Sequence, residues 1–308
     1  MNKYSPEYMT QIHKENMTLA SIKDAINKKE ILEAQVKSCD ANNTLTLVLG
    51  RNIIGKIPFE EIEYSLTGKE TKTASATSKV GRHIRFIPVE VDETTKPITV
   101  ICSRKAAQKE CYDNYISKLI PGDIIDARII KIVSYGAFCD IGCGIVSLLP
   151  TNNISVTHIV DPESILKYVH NIKAVIKSID DEGRIQLTHK ELLGTWEQEV
   201  SKIHEGDIIP GVVLSKESYG VFVRLSQNLS GLAEVPEFDV NTGDKVTVKV
   251  TNIKPDNMKV KLIIISTSGS DNPDTEEHIS FDYVISDGHI DKWVYSTETA
   301  KKQIITEF

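Results

Sequence analysis

Tyr135-Gly136-Ala137-Phe138-Cys139-Asp140-Ile141 is the stretch on which the reading turns, because its opening returns as Tyr219-Gly220-Val221-Phe222-Val223, 84 positions on. At the same offset Gly122-Asp123 returns as Gly206-Asp207, preceded by Ser117-Lys118-Leu119 and Ser201-Lys202-Ile203. Further back, Ser103-Arg104-Lys105 parallels Thr188-His189-Lys190. A repeat at a fixed period marks a duplicated structural unit, here with its linker.

Around the quoted stretch the apolar residues fall in short runs with period-2 character: Ile124–Val133, Ala137–Ile141 and Ile172–Ile179, closed by Gly183-Arg184-Ile185-Gln186-Leu187. That spacing predicts five short strands per unit. Asp161-Pro162-Glu163-Ser164 has the acid, proline and polar groups of a helix start, which predicts a helix between strands three and four. In the next unit Val246–Val250 and Val260–Leu262 supply the later strands after a trimmed connection. Residues 30–105 offer five apolar runs as well but no Tyr-Gly-x-Phe, and read as a diverged copy. Within them Lys69–Lys79, rich in Thr, Ser and Lys, is expected to be a mobile loop.

The expected architecture is mainly β: tandem five-stranded barrels joined by short helices. It divides into an amphipathic helix in 1–29, a diverged barrel at 30–105, a helical linker at 106–119 and a barrel at 120–190. A second helical linker at 191–202, a barrel at 203–266 and an acidic C-terminal segment at 267–308 follow. Residues 5–28 carry Met9, Ile12, Leu19, Ile22 and Ile26 on or near one face, suited to packing on the first barrel. The acidic segment carries enough aromatic residues to be expected against a barrel.

The chain has 308 residues and a formal net charge of −7, which by itself argues against a polyanionic partner. From Asp271 to the end, however, nine acids face three lysines, a net of −6, so the rest is close to neutral. A basic face on each barrel is therefore compatible with the total charge. The cysteines at 39, 102, 111, 139 and 143 form no Cys-x-x-Cys pair and have no histidines at zinc spacing, so no metal is expected. An odd cysteine count, no signal-peptide pattern at Met1–Thr10 and no apolar run near about 18 residues predict a reducing, cytoplasmic setting away from membranes. No His-Glu-x-x-His, Gly-x-Ser-x-Gly or phosphate loop is present. No enzyme, cofactor or small-molecule substrate is expected.

The string from Gly122-Asp123 through Tyr135-Gly136-Ala137-Phe138 and Asp180 to Gly183-Arg184-Ile185-Gln186-Leu187-Thr188-His189-Lys190 resembles the S-one RNA-binding domain. Residues 206–246 resemble it again, and the whole arrangement is similar to the short ribosomal protein S-one homologues of clostridia. The resemblance implies oligonucleotide-binding (OB-fold) barrels. It also implies an RNA face formed by two aromatics flanking a glycine, a histidine after strand three, an aspartate ending strand four and an arginine opening strand five. Carried over, these are Tyr135, Phe138, Asp180 and Arg184 in one unit. In the next they are Tyr219 and Phe222, with Lys254 and Lys259 near the last two positions. Pro150 and Glu234 stand where the histidine would be.

Two residues three apart on a regular strand point to opposite faces. A glycine between them permits a bulge or bend that returns both rings to one face. Rings on an open barrel face stack on bases with little sequence preference. The competing reading is core aromatics, but stacking is favoured because the pair brackets a glycine twice beside cations, among them Lys131, Arg224 and Lys249. The reading is a binder of single-stranded RNA or mRNA acting in translation, with the small ribosomal subunit as a further partner. The alternatives are an accessory subunit of an RNA-decay enzyme and a protein-interaction adaptor.

Overall fold

The computed structural model describes residues 3–7, 17–65, 72–159, 161–269 and 281–308. Five strands, β1 (Leu32–Cys39), β2 (Leu45–Gly50), β3 (Ile53–Ile57), β4 (His83–Asp92) and β5 (Ile98–Ser103), close into a barrel in the order β1-β2-β3-β5-β4. Two more barrels follow with the same connectivity. One is built from β6 (Ile124–Val133), β7 (Gly136–Gly142), β8 (Ile145–Pro150), β9 (Asn171–Ile179) and β10 (Ile185–Thr188). The other is built from β11 (Ile208–Glu217), β12 (Gly220–Arg224), β13 (Ser230–Ala233), β14 (Lys245–Lys254) and β15 (Lys259–Gly269). In each, strands one to three form a meander, and strand five pairs parallel with strand three and antiparallel with strand four. The diverged first unit is thus a barrel of the same order as the other two.

Alternation along the strands fills the barrels. On β2, Leu45, Leu47 and Leu49 point inward, against Phe86, Val100 and Cys102. On β14, Val246, Val248 and Val250 do the same, leaving Lys245, Thr247 and Lys249 outside. Closure removes the unpaired edges that would otherwise expose backbone donors and acceptors.

The connecting segments differ from the sequence expectation. The described N-terminal helix, α1 (Leu19–Lys28), starts at a capping box of Thr18 and Ser21 and buries Ile22 and Ala25 against the first barrel. Residues 8–16 of the expected helix lie outside the described residues, and 3–7 are not helical: Glu7 is held by Arg104, and Tyr4 lies 6.0 Å from Tyr115. Within the expected loop at 69–79, residues 69–71 lie outside the described set, but α2 (Thr73–Thr77) is a helical turn that buries Ala76. Between strands three and four of the second barrel the helix is a single 3-10 turn, Pro162–Ser164, capped by Asp161.

Neither inter-barrel segment is a free spacer. The first, α3 (Arg104–Asn114), buries Arg104 completely, with Nε and Nη2 on the two carboxylate oxygens of Glu7. The second is a 3-10 turn, Lys190–Leu193, broken at Gly194 before α4 (Trp196–Val200), because Gly194 takes φ 93°. Trp196 is buried in the cluster that also holds Val175 of the second barrel and the β12 and β14 valines of the third. The amide of Asn228 joins these pieces. Its Oδ1 accepts from Ser155 Oγ and Val156 N, and its Nδ2 donates to the carbonyls of Lys190 and Gly194.

Residues 281–308 of the acidic C-terminal segment pack where these two barrels meet. Its β16 (Lys292–Val294) and β17 (Ile305–Glu307) form a small hairpin, and Ile124 and Gly122 exchange backbone hydrogen bonds with Gly288 and Ile290. Phe281 lies edge-on to His189 at 4.6 Å. The Tyr283 hydroxyl, which accepts from Lys173 N, donates to His189 Nε2, and His189 Nδ1 donates to the Ile154 carbonyl. Among the described residues no helix is long and apolar enough to cross a membrane.

Burial pushes the His189 imidazole down to about 4. An unfolded histidine titrates near about 6.5, so this part of the stability is complete above that pH and is lost as the pH falls towards 4. The loss is about 3 kcal/mol, at about 1.4 kcal/mol per unit. Urea midpoints at pH 7 and pH 4.5 should show it, and His189→Gln should remove this component. An unchanged pH slope in the variant would assign the acid sensitivity elsewhere.

Candidate nucleic-acid interface

The β6–β7 hairpin turns on Ser134 and Tyr135, since Val133 pairs directly with Gly136. Gly136 takes φ +150°, and a Cβ there would lie 2.2 Å from the Leu149 carbonyl oxygen of the neighbouring strand. Only glycine fits that approach. The β11–β12 hairpin repeats the arrangement: Glu217 pairs with Gly220, Ser218 and Tyr219 form the turn, and a Cβ at Gly220 would lie 2.6 Å from the Ala233 carbonyl oxygen.

Both tyrosines stand out in solvent, Tyr135 at 58% and Tyr219 at 67% exposure. Each meets its phenylalanine edge-on. Tyr135 and Phe138 have ring centroids 6.3 Å apart at 87°, and Tyr219 and Phe222 6.3 Å apart at 88°. Both phenylalanines are half-buried, so each pair offers one free ring and one ring anchored on the barrel. The route to a common face differs from the one expected. The bulge lies on the partner strand, between Ile129 and Lys131 on β6 and between Val213 and Ser215 on β11, and the tyrosine stands in the turn rather than on the strand.

Pairing carries the face across the barrel, since directly paired residues share a side. In the second barrel the row is Lys131, Phe138, Leu148 and Gln186. In the third it is Ser215, Phe222, Leu232 and Lys261. Leu148, Gln186, Leu232 and Lys261 were not foreseen. Lys261 was within reach of the sequence, as it stands two residues after Lys259 and shares its side of β15. The matching row of the first barrel is Ser38, Thr46, Lys56 and Ile101, with threonine where the phenylalanine stands in the others.

The hairpins beside the two faces carry opposite electrostatics. Asp180 closes the β9–β10 turn by accepting from the backbone N–H of Glu182 and Arg184, and from Arg184 Nε at 2.7 Å. The guanidinium hydrogen bond holds the Asp180 carboxyl below the usual range, and the aspartate raises Arg184 in return. Glu182 lies 3.2 Å from the same guanidinium, so Arg184 is neutralised locally. In the third barrel Lys254 and Lys259 pair directly across the hairpin, with Lys261 beyond them. None of these three lysines makes an ion pair among the described residues.

Two candidates stand apart from the rings. Lys249 lies on β14 between the exposed Ile208 and Ile263, on a strand that does not pair with β12. Arg224 shares the side of Phe222, but its Nη1 reaches the Ser164 carbonyl of the second barrel at 3.5 Å, and burial lowers its pKa. Among the described residues no group of three or more His, Cys, Asp or Glu side chains is placed to hold a metal ion.

This geometry, a closed five-stranded barrel with aromatic rings at the mouth of its first hairpin, defines a class of nucleic-acid-binding barrels. Residues 118–190 match the S1 (S-one) RNA binding domain, and the chain carries a domain of that family. The chain is also similar to small ribosomal subunit protein bS1 of Staphylococcus aureus (strain COL), 33% identical over 203 residues, covering 61% of this chain and 51% of that protein. With the protein of the same name from Staphylococcus epidermidis it is 31% identical over 208 residues, 62% and 52% of the two chains. The chain thus spans about half the length of the curated relatives it matches. A multidomain protein with nucleic acid binding domains from Streptococcus pneumoniae aligns over 77% of this chain and 74% of its own, at 12% identity and a TM-score of 0.25.

Gly136→Ala should be destabilising by more than about 1 kcal/mol, because a backbone carbonyl blocks the new methyl and the positive φ disfavours it. Thermal unfolding of the variant checks this, and a melting temperature equal to that of the parent would mean that the two strands can part without cost.

Proposed function

We propose that the protein binds single-stranded RNA by stacking bases on Tyr135 with Phe138 and on Tyr219 with Phe222. Lys131, Lys254, Lys259 and Lys261 meet the phosphates, and Asp180 sets the hairpin that presents Arg184. The observation that carries the reading is the duplicated ring pair, with the same 6.3 Å separation and the same edge-on angle in two barrels. Core aromatics would not leave both tyrosines more than half exposed.

The third barrel is the stronger phosphate reader, because its hairpin lysines lack the carboxylates that engage Arg184. Lys249 and Arg224 contribute at the periphery. Binding is non-catalytic. The similarity to bS1 supports a role in translation in the cytoplasm, with messenger RNA as the strand and the small ribosomal subunit as a partner. The first barrel, without an aromatic platform, acts in docking or spacing.

Titration with single-stranded RNA, duplex RNA and single-stranded DNA at two salt concentrations tests this. Single strands should be preferred, because stacking needs bases free of a duplex. Affinity should fall by about 0.7 log units per log unit of salt for each phosphate engaged. Equal affinity for duplex RNA would sink the reading. Tyr135→Ala combined with Tyr219→Ala should weaken binding by about 2–6 kcal/mol, with about 1–3 kcal/mol from each ring, while the melting temperature holds. Deleting residues 1–105 should leave RNA affinity largely intact; if the deletion abolishes it and the tyrosine double variant binds normally, the first barrel is the reader.

A further inference from the structure

Between the first and second barrels lies a cavity of about 310 Å³ that the aromatic faces do not use. The first barrel contributes Lys79 and Arg82 to its wall, and the second contributes Arg128 and Tyr168. Arg104 of the connecting helix, Glu7 and Asp140 complete its charged lining. The size is at the lower end of the range of small-molecule sites, about 300–1,000 Å³.

The two acids are turned to the protein's own donors. Glu7 takes both Arg104 nitrogens and the Arg85 backbone N–H. Asp140 accepts the backbone N–H groups of Glu7, Gly142 and Gly144. Burial pushes the Asp140 carboxyl up to about 7, which reduces its negative charge at neutral pH.

The cations of the wall come from both barrels. Arg82 is exposed and makes no ion pair among the described residues. Lys79 reaches Glu63, outside the lining, at 3.3 Å, and burial, followed by the Arg104 charge, pulls its pKa down. Arg128, almost fully buried, is aimed by a 2.7 Å hydrogen bond to Asn171 Oδ1. A concave wall with an excess of cations concentrates anions, and guanidinium forks match phosphate oxygens.

Tyr168 stands 55% exposed at the same wall, a ring with no place in either core. The residue that follows, Val169, is β-branched yet adopts φ 65°, and its N–H is fixed on the Ile129 carbonyl. Tyr168 is thus presented by a backbone conformation that valine rarely adopts.

We propose that this cavity binds a nucleoside phosphate, its phosphate on Lys79, Arg82 and Arg128 and its base against Tyr168. The ligand is either a free nucleotide or one nucleotide of an RNA strand. The site is separate from the ring pairs and does not depend on their role.

Equilibrium titration of the full chain with adenosine 5′-monophosphate and with inorganic phosphate tests it. One nucleotide should bind per chain, at least tenfold more weakly after Arg82→Ala and after Tyr168→Ala, two exposed positions whose variants should keep the parent melting temperature. Inorganic phosphate should respond to Arg82→Ala and not to Tyr168→Ala. The double variant Tyr135→Ala, Tyr219→Ala should bind the nucleotide as the parent does, so that failure of the stacking reading leaves this one standing. A saturating RNA oligonucleotide that displaces the nucleotide identifies the RNA strand as its source, and one that leaves it bound identifies the free nucleotide. No binding at millimolar nucleotide, or binding indifferent to both single variants, would overturn the proposal, as would loss of binding in the ring variant alone.

Discussion

Barrel closure is the constraint on which everything else rests. In each unit the fifth strand lies parallel to the third and antiparallel to the fourth, and no edge is left. Closure sets the interior that alternate valines, leucines and isoleucines must fill. It also sets the exterior row. Gln186 meets Leu148, and Lys261 meets Leu232, only because the last strand inserts beside the third. The faces that carry the ring pairs are products of that insertion.

The same closure explains the glycines. When the first hairpin folds over the third strand, its first residue meets a carbonyl of that strand, Leu149 in one barrel and Ala233 in the other. A side chain there would push the hairpin away. With glycine the turn comes close, and the tyrosine just ahead of it is thrown clear of the barrel while the phenylalanine stays anchored. The two barrels share this geometry almost to the degree.

Between barrels, buried polar groups fix the registration alongside the apolar cluster around Trp196. Asn228 satisfies two separate segments at once, 155–156 and 190–194, and Arg104 is neutralised in the interior by Glu7. Buried polar groups that are fully partnered fix one arrangement, because any other leaves a donor or charge unsatisfied. The C-terminal segment adds to this through Tyr283 and Tyr295, whose hydroxyls each find a buried partner.

Much of this was legible in the chain. The offset repeat of Tyr-Gly-x-Phe marked the duplicated unit, period-2 runs marked the strands, and the ring pairs flanking a glycine marked the face, because alternation and turn chemistry are local properties. The first barrel was legible as five strands in spite of its missing rings. Other features were not local. The sequence alone could not tell that 191–202 breaks at Gly194 so that Trp196 enters the third core. Nor could it tell that Arg224 leans on Ser164 or that Lys249 lies on another wall from Phe222. It could not bring Lys79 and Arg82 to the same cavity as Arg128 and Tyr168. Those placements depend on which strands meet and which barrels touch, and residues far apart in the chain are brought together only when burial and hydrogen bonding are satisfied for the whole molecule.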